Sequence, residues 1–247
     1  MGVMRPGHFF TARGRGEKAV AYVATLALWV VGCSKPTTEV ARANSQGAPP
    51  GLEYVPPEPG GYSLPPIQAA CDGTVLDESG LRRRLFDYLG DRYVLLSFIY
   101  TRCSAVKGCP LATAVFQMLR NRLDEEPTIV GRVRLVTLSF DPEGDTPETM
   151  RRYASSLGVQ SHGQAETWTF LTTPSRDDLE PILDGYGQYV IRELDADGRF
   201  TGNRSHMLKV FLIDRERRVR QIYSSDFLHP ALVINDVKTL MMEAAKS

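Results

Sequence analysis

The sequence predicts one three-layer α/β domain, preceded by an export leader and a proline-rich linker. Strand-like and helix-like patterns alternate from Ile67 to the C-terminus, with no internal repeat and no second change in composition. A near-continuous apolar run at residues 94–100 has the character of a central strand that is buried on both faces. The 247 residues, 43% hydrophobic and 23% charged, are enough for one core with appendages.

Residues 1–32 are predicted to be a signal peptide that ends in a bacterial lipobox. Four basic residues precede an apolar stretch at 19–32, which is short for a bilayer span and typical of a signal-peptide core. Val-Val-Gly then leads directly into Cys33, which would be lipidated and would begin the mature chain. An uncleaved anchor and plain secretion are the alternatives. All three export the domain, and the favoured interpretation places it in the cell envelope, anchored by lipid at Cys33 on the periplasmic or outer face of a membrane.

Residues 33–66 are predicted to be a tether. They carry eight of the 16 prolines together with many small polar residues, and they show almost no periodic apolar pattern. Because proline-rich sequence stays extended and semi-rigid, this segment would hold the domain of residues 67–247 away from the membrane.

The first elements of the domain follow from local patterns. A helix is predicted at 110–123, where apolar residues recur at helical spacing and Pro110 suits the first helical position. The next strand, 133–140, ends in the segment Asp-Pro-Glu-Gly-Asp-Thr-Pro-Glu at 141–148, whose prolines and aspartates shape a turn. Thr146 as N-cap, followed by Pro147, then opens a helix through Leu157.

The second half of the domain continues the alternation. A short strand at 168–171 is followed by a helix that starts at Ser175. Residues 207–213 are mostly apolar with high strand propensity, and this predicted strand is expected to pair with residues 218–223 across a turn at 214–217. An amphipathic helix at 231–245 closes the chain.

Cys103 and Cys109 lie between the strand at 94–100 and the helix that follows it. The free N–H groups and positive partial charge of a helix start favour thiolate over thiol, so we expect this pair to be the reactive site. Their spacing leaves three interpretations open, namely a structural disulfide, a redox disulfide, or two thiolate ligands for a soft metal. Cys71, the other thiol after Cys33, is predicted to be buried and inert.

His206 is the strongest candidate for a third ligand. It lies at the head of the strand predicted at 207–213, and loops at one edge of a sheet converge. His162 falls in a polar loop and is expected to be exposed, whereas His229 precedes Pro230 as a helix-start residue would. Formal net charge is zero and the basic residues are scattered, which argues against a nucleic-acid partner.

From about Ile67 the chain resembles the Sco/SenC family of copper proteins. The matching stretches are Leu-Leu-Ser-Phe-Ile-Tyr-Thr-Arg-Cys ending at Cys103, the pair Cys109-Pro110, residues 141–147, and His206 eight residues before Asp214. The resemblance implies a thioredoxin-like three-layer fold with a central mixed sheet flanked by helices. It also implies a copper ion held by Cys103, Cys109 and His206, a donor set that suits Cu(I) and can hold Cu(II).

The same resemblance implies a membrane-tethered copper chaperone and not a turnover enzyme. Its partner would be a cuproprotein such as the cytochrome c oxidase subunit that carries the dinuclear copper centre. The alternative is a thiol–disulfide oxidoreductase, with Cys103 and Cys109 as the redox pair and exported proteins as exchange partners. A binding module whose cysteines only staple a loop is the third hypothesis.

This chain departs from the family pattern at two positions. It has Cys-x5-Cys where Cys-x3-Cys is commonest, and Ser205 stands where an aspartate often precedes the histidine. The sequence therefore shows no neighbouring carboxylate that would orient the His206 ring.

Overall fold

A computed structural model describes residues 47–159 and 167–246. The predicted signal peptide, the lipobox residue Cys33 and the loop residue His162 lie outside these ranges. Within them, every helix is too short or too polar to cross a membrane.

The described residues form ten strands and four α-helices. The strands are β1 (Gln68–Ala69), β2 (Thr74–Leu76), β3 (Arg82–Arg84), β4 (Tyr93–Ile99), β5 (Val133–Ser139), β6 (Trp168–Leu171), β7 (Val190–Leu194), β8 (Phe200–His206), β9 (Val210–Ile213) and β10 (Arg218–Tyr223). The helices are α1 (Cys109–Glu125), α2 (Pro147–Ser156), α3 (Arg176–Gly185) and α4 (Pro230–Ala244).

Six of the strands form one mixed sheet in the order β1-β10-β9-β4-β5-β6. Strands β4, β5 and β6 run parallel to one another, whereas β9 is antiparallel to β4, and β10 and β1 continue the antiparallel pairing. The other four strands make two hairpins, β2–β3 and β7–β8. The central mixed sheet flanked by helices that the sequence predicted is therefore confirmed.

Both faces of the sheet are buried, and the side chains of β4 alternate between two apolar clusters. Leu95 points to the cluster that contains residues of α1, α2 and α4. Leu96 points to the cluster on the other face, which contains residues of α3 such as Ile182. Burial on both sides explains why β4 appears in the sequence as a nearly continuous apolar run without the polar alternation of a half-exposed strand.

The region before β9 differs from the prediction. The strand expected at 207–213 begins only at Val210. Residues 207–209 link it to the β7–β8 hairpin, which ends at His206 and was not predicted. This hairpin projects most of its side chains into solvent, so its sequence lacks the apolar period that identifies a strand. His206 is thus the last residue of β8 and not the head of β9.

Candidate metal centre

The carboxyl ends of the parallel strands β4 and β5 meet at one edge of the sheet, and the candidate site lies there. Cys103 is in the loop after β4, and Cys109 is the first residue of α1. The hairpin strand β8 brings His206 to the same edge. The two Sγ atoms and a ring nitrogen of His206 all lie within 4.8 Å of one another, so the structure unites the three residues that the sequence singled out.

Hydrogen bonding fixes the orientation of the His206 ring. Its Nδ1 lies 3.2 Å from the carbonyl oxygen of Arg204, while its Nε2 lies 3.4 Å from the Sγ of Cys109. Because a carbonyl oxygen only accepts hydrogen bonds, Nδ1 donates and Nε2 keeps its lone pair toward the thiols. The backbone of Arg204 thus supplies the orienting acceptor that the side chain at Ser205 does not.

Aromatic packing and burial keep this imidazole neutral. The His206 ring packs against Phe140, with 4.8 Å between ring centroids, and against Tyr100, at 5.9 Å. Burial lowers the pKa of His206 below its ordinary value, and the hydrogen bond to the Arg204 backbone opposes this only partly. At neutral pH the ring is therefore in the unprotonated form that binds metals.

The two thiols have different surroundings. Cys109 is only 2% exposed, whereas Cys103 is partly exposed, and both are free. Burial raises the pKa of the Cys109 thiol, and backbone hydrogen bonds of Tyr100 and Cys109 itself oppose this without outweighing it. The expectation that the helix start favours thiolate is thus wrong for Cys109, because loss of hydration outweighs the helix charge. The Cys109 thiol must therefore lose its proton when it binds a metal or is oxidised to a disulfide.

The remaining candidates lie away from this cluster. Cys71 sits between β1 and β2, where its Sγ lies 3.6 Å from the carbonyl oxygen of Pro181. It is half-buried, not fully buried as expected, and burial raises the pKa of its thiol. His229 is the N-cap of α4 and accepts a hydrogen bond from the N–H of Ala231, which confirms its predicted place at a helix start.

One buried carboxylate links the loop at residues 100–108, which carries Cys103 and which we call the cysteine loop, to strand β8, which carries His206. Asp141 is fully buried, and its two oxygens take different arginines, Arg102 at 2.9 Å and Arg204 at 2.5 Å. Arg102 is adjacent to Cys103, and Arg204 lies two residues before His206. Asp141 therefore sets the spacing between the two halves of the site. The sequence analysis missed Arg204, because the strand that places it on the same side as His206 lacks the apolar period that would identify a strand.

Asp145 anchors the start of the cysteine loop through hydrogen bonds. Its carboxylate accepts hydrogen bonds from the backbone and hydroxyl of Thr101 and from the hydroxyl of Ser139. Within the described residues, the group of possible metal ligands at this edge contains neither Asp141 nor Asp145. The segment 141–148 thus acts on the site through hydrogen bonds, in addition to the turn and helix start that its sequence predicted.

Comparison with known proteins places this site in a family. The family model described as SCO1/SenC matches residues 74–242. The chain belongs to the SCO1/SenC family. It is 25% identical over 146 residues to the SCO1 protein homolog of Bacillus subtilis (strain 168), an alignment that covers 59% of this chain and 69% of that protein.

Solved structures of SCO1/SenC proteins share the fold. Arabidopsis thaliana ScoI with copper bound superposes with a TM-score of 0.57 and 19% identity, over 70% of this chain and 99% of ScoI. BsSco, a member of the Sco family of cytochrome c oxidase assembly proteins in which a disulfide switch was identified, has a TM-score of 0.55 and 24% identity, over 72% of this chain and 96% of BsSco. The thioredoxin-like fold of this chain is thus confirmed.

In this SCO1/SenC domain, an open cleft of about 390 Å³ is lined by Cys103 and His206, while Cys109 lies buried next to them. The cysteine loop forms one wall, and Glu193, Asn203 and Ser205 of the β7–β8 hairpin form the other. Val106 and Met207 stand exposed beside the ligands. Ligand groups of another protein can therefore approach Cys103 and His206 without any unfolding of the domain.

Proposed function

We propose that this protein is an exported, membrane-tethered copper chaperone that holds copper with Cys103, Cys109 and His206. Its client is a cuproprotein such as the subunit that carries the dinuclear copper centre of cytochrome c oxidase. The observation that carries the proposal is the convergence of two thiols and one oriented imidazole within 4.8 Å, where Cys103 and His206 line an open cleft.

The donor set fits copper as a transferable cargo. Two thiolates and an imidazole are soft and borderline ligands, which suit Cu(I) and can also hold Cu(II). A closed structural zinc site takes four protein ligands, and the cluster in the described residues has three. A three-ligand site leaves a position where an acceptor's cysteine or histidine can bind, so Cys103, Cys109 and His206 can release the ion in steps.

The ScoI and BsSco similarities support this choice of cargo and client. ScoI was solved with copper bound, and BsSco belongs to a family of cytochrome c oxidase assembly proteins. The membrane part of the proposal rests on the lipobox-like sequence before Cys33. Lipidation there would keep the chaperone close to a membrane-bound client.

Anaerobic titration of the reduced protein with Cu(I) tests the ligand assignment. We expect one equivalent to bind tightly, and we expect His206→Ala and the double Cys103→Ser, Cys109→Ser variant to bind far more weakly. Cys71→Ser and His229→Asn, which keeps a capping side chain on α4, are matched controls that should bind as the wild type does. Wild-type affinity in the His206→Ala and double-serine variants would refute the assignment.

A second function, thiol–disulfide exchange, is favoured by the unequal exposure of the two free thiols. Cys103 is accessible enough to attack a client disulfide in its thiolate form. Formation of the mixed disulfide breaks the client disulfide and releases one client thiolate. Cys109 then gives its proton to the released client thiolate and attacks the sulfur of Cys103 as a thiolate, which frees the second client thiolate and leaves the Cys103–Cys109 disulfide. Two electrons pass to the client, and an external dithiol must restore the pair.

Trapping experiments test this second function. Cys109→Ser should accumulate a mixed disulfide between Cys103 and a client, whereas Cys103→Ser should accumulate little, because Cys109 is buried. Equal trapping by both variants, or by neither, would argue against exchange through Cys103.

A further inference from the structure

Residues 50–64, which we call the strap, lie along the last helix although their composition is that of a tether. Four hydrogen bonds follow α4 in sequence order. They join Pro50 to His229, Pro57 to Asn235, Gly60 to Thr239 and Leu64 to Glu243. The strap and α4 therefore run in the same direction, side by side, over most of the helix.

The strap is held by buried groups and not by surface contacts alone. The hydroxyl of Tyr62 donates to the carboxylate of Asp236 at 2.5 Å, and the hydroxyl of Tyr223 donates to the other oxygen at 2.6 Å. Asp236 is 6% exposed, and Leu64 is itself part of the apolar core at 6% exposure. A proline-rich segment with several turns is thus fixed on the domain where a free linker was expected.

The strap begins at the end of the domain that carries the metal site. Its contact at Pro50 is with His229, the N-cap of α4. Just before that cap, Asp226 lies 3.5 Å from Lys107, which belongs to the cysteine loop. The N-terminus of α4 and the start of the strap are therefore neighbours of the cleft.

The strap ends at the opposite end of the sheet. Arg220 contacts the carbonyl of Leu64 and also the carboxylate of Asp214, which follows β9. The last residue of β9, Ile213, pairs with Val94 at the start of β4, whereas the cysteine loop follows the end of β4. The chain therefore enters beside the metal site and crosses the length of the domain before β1 begins.

We propose that the strap fixes the point at which the tether leaves the domain, and so holds the copper cleft on the membrane-proximal side. This inference rests on the lipid anchor at Cys33 in the proposed function. The chain from Cys33 to Pro50 reaches at most about 60 Å when fully extended, and it is attached next to the cleft. A tether free as far as Pro66 would reach about 115 Å and would be attached at the end of the domain opposite the cleft.

The orientation of the cleft determines which copper acceptors can reach it. A cleft that faces the bilayer at short reach serves a copper acceptor whose ligands lie close to the surface of the same membrane. It disfavours a freely diffusing acceptor, which would approach a cleft facing away from the membrane more easily.

Photo-crosslinking in phospholipid vesicles tests this orientation with the full-length lipidated protein. A benzoylphenylalanine is introduced either at Val106, in the cysteine loop, or at Arg215, in the exposed turn after β9. We expect several-fold more crosslinking to lipid from position 106 than from position 215. A triple variant, His229→Asn, Asn235→Ala and Tyr62→Phe, removes three strap contacts but leaves Leu64 in place. It should bring the two yields close to each other, whereas Lys246→Ala, at an exposed position just after α4, should leave the difference between them unchanged.

Two further measurements separate the possible failures. Protease sensitivity within residues 50–59 reports strap opening in the triple variant, and vesicle flotation with and without Cys33→Ala reports the anchor. Equal lipid crosslinking from both positions in anchored wild-type protein would overturn the orientation and leave the anchor standing. Flotation that does not depend on Cys33 would overturn the anchor and this inference together.

Discussion

The ion pair between Arg204 and Asp141 allows the role of one buried charge to be measured. Asp141 is fully buried and the Arg204 side chain is 2% exposed, so Arg204→Met would leave a buried carboxylate with only Arg102 as a cationic partner. Removal of one partner from a buried pair costs about 3–5 kcal/mol. The remaining partner, Arg102, is 61% exposed, and exposed ion pairs contribute only about 0–1 kcal/mol.

Arg204→Met should therefore lower the free energy of unfolding by about 3 kcal/mol, and Arg102→Met by less than about 1 kcal/mol. Domains of this size have about 5–15 kcal/mol of stability, so both variants should still fold. Urea unfolding of the reduced, metal-free protein measures the two changes. The Arg204 variant should also bind copper about 10- to 100-fold more weakly, since the strand that carries His206 loses its brace. Equal destabilisation by the two variants would refute the role given to Arg204.

Three further predictions concern other parts of the chain. Burial alone would raise the pKa of Asp214, but hydrogen bonds from Arg220 and Arg218 outweigh burial and hold this pKa below its ordinary value. The ionised Asp214 therefore stabilises the fold at any pH above the ordinary carboxyl pKa, and this stabilisation is lost as pH falls through the lowered pKa. Asp214→Asn should thus destabilise the protein at pH 7, and the difference from wild type in urea unfolding should shrink below about pH 4; a difference independent of pH would contradict this. A Cβ at Gly185 would lie 2.4 Å from the Sγ of Cys71, so Gly185→Ala should cost about 1–3 kcal/mol by the same assay and should be partly rescued by Cys71→Gly. Iodoacetamide should alkylate Cys103 before Cys109 in the reduced protein, as read by peptide mass spectrometry, because Cys109 is 2% exposed; the reverse order would show that the buried thiol is the accessible one.

The sequence predicted the central part of this fold because the physical signals there are local. Strand β4 is a nearly continuous apolar run, and Pro110 and Thr146 mark helix starts that the structure places within a residue or two of the predictions. The convergence of the cysteine loop with His206 could also be expected, since loops at one edge of a sheet lie close together.

Other features depend on contacts that local patterns do not encode. The β7–β8 hairpin was missed because most of its side chains face solvent, and the raised pKa of Cys109 follows from burial that no spacing of residues reveals. The bond between Asp141 and Arg204 joins residues 63 positions apart, and many other charges in the sequence were equally plausible partners. The strap was expected to be a free tether because its composition is that of a linker, whereas its hydrogen-bond partners lie almost 180 residues away.

X-ray absorption at the copper edge of the Cu(I)-loaded protein tests the central claim most directly, because it counts the donor atoms themselves. The geometry of Cys103, Cys109 and His206 predicts two sulfur donors and one nitrogen donor. His206→Ala should lose the nitrogen and keep both sulfurs, and Cys71→Ser should leave the spectrum unchanged. A shell with fewer than two sulfurs, or a nitrogen that persists in His206→Ala, would contradict the assignment of this site.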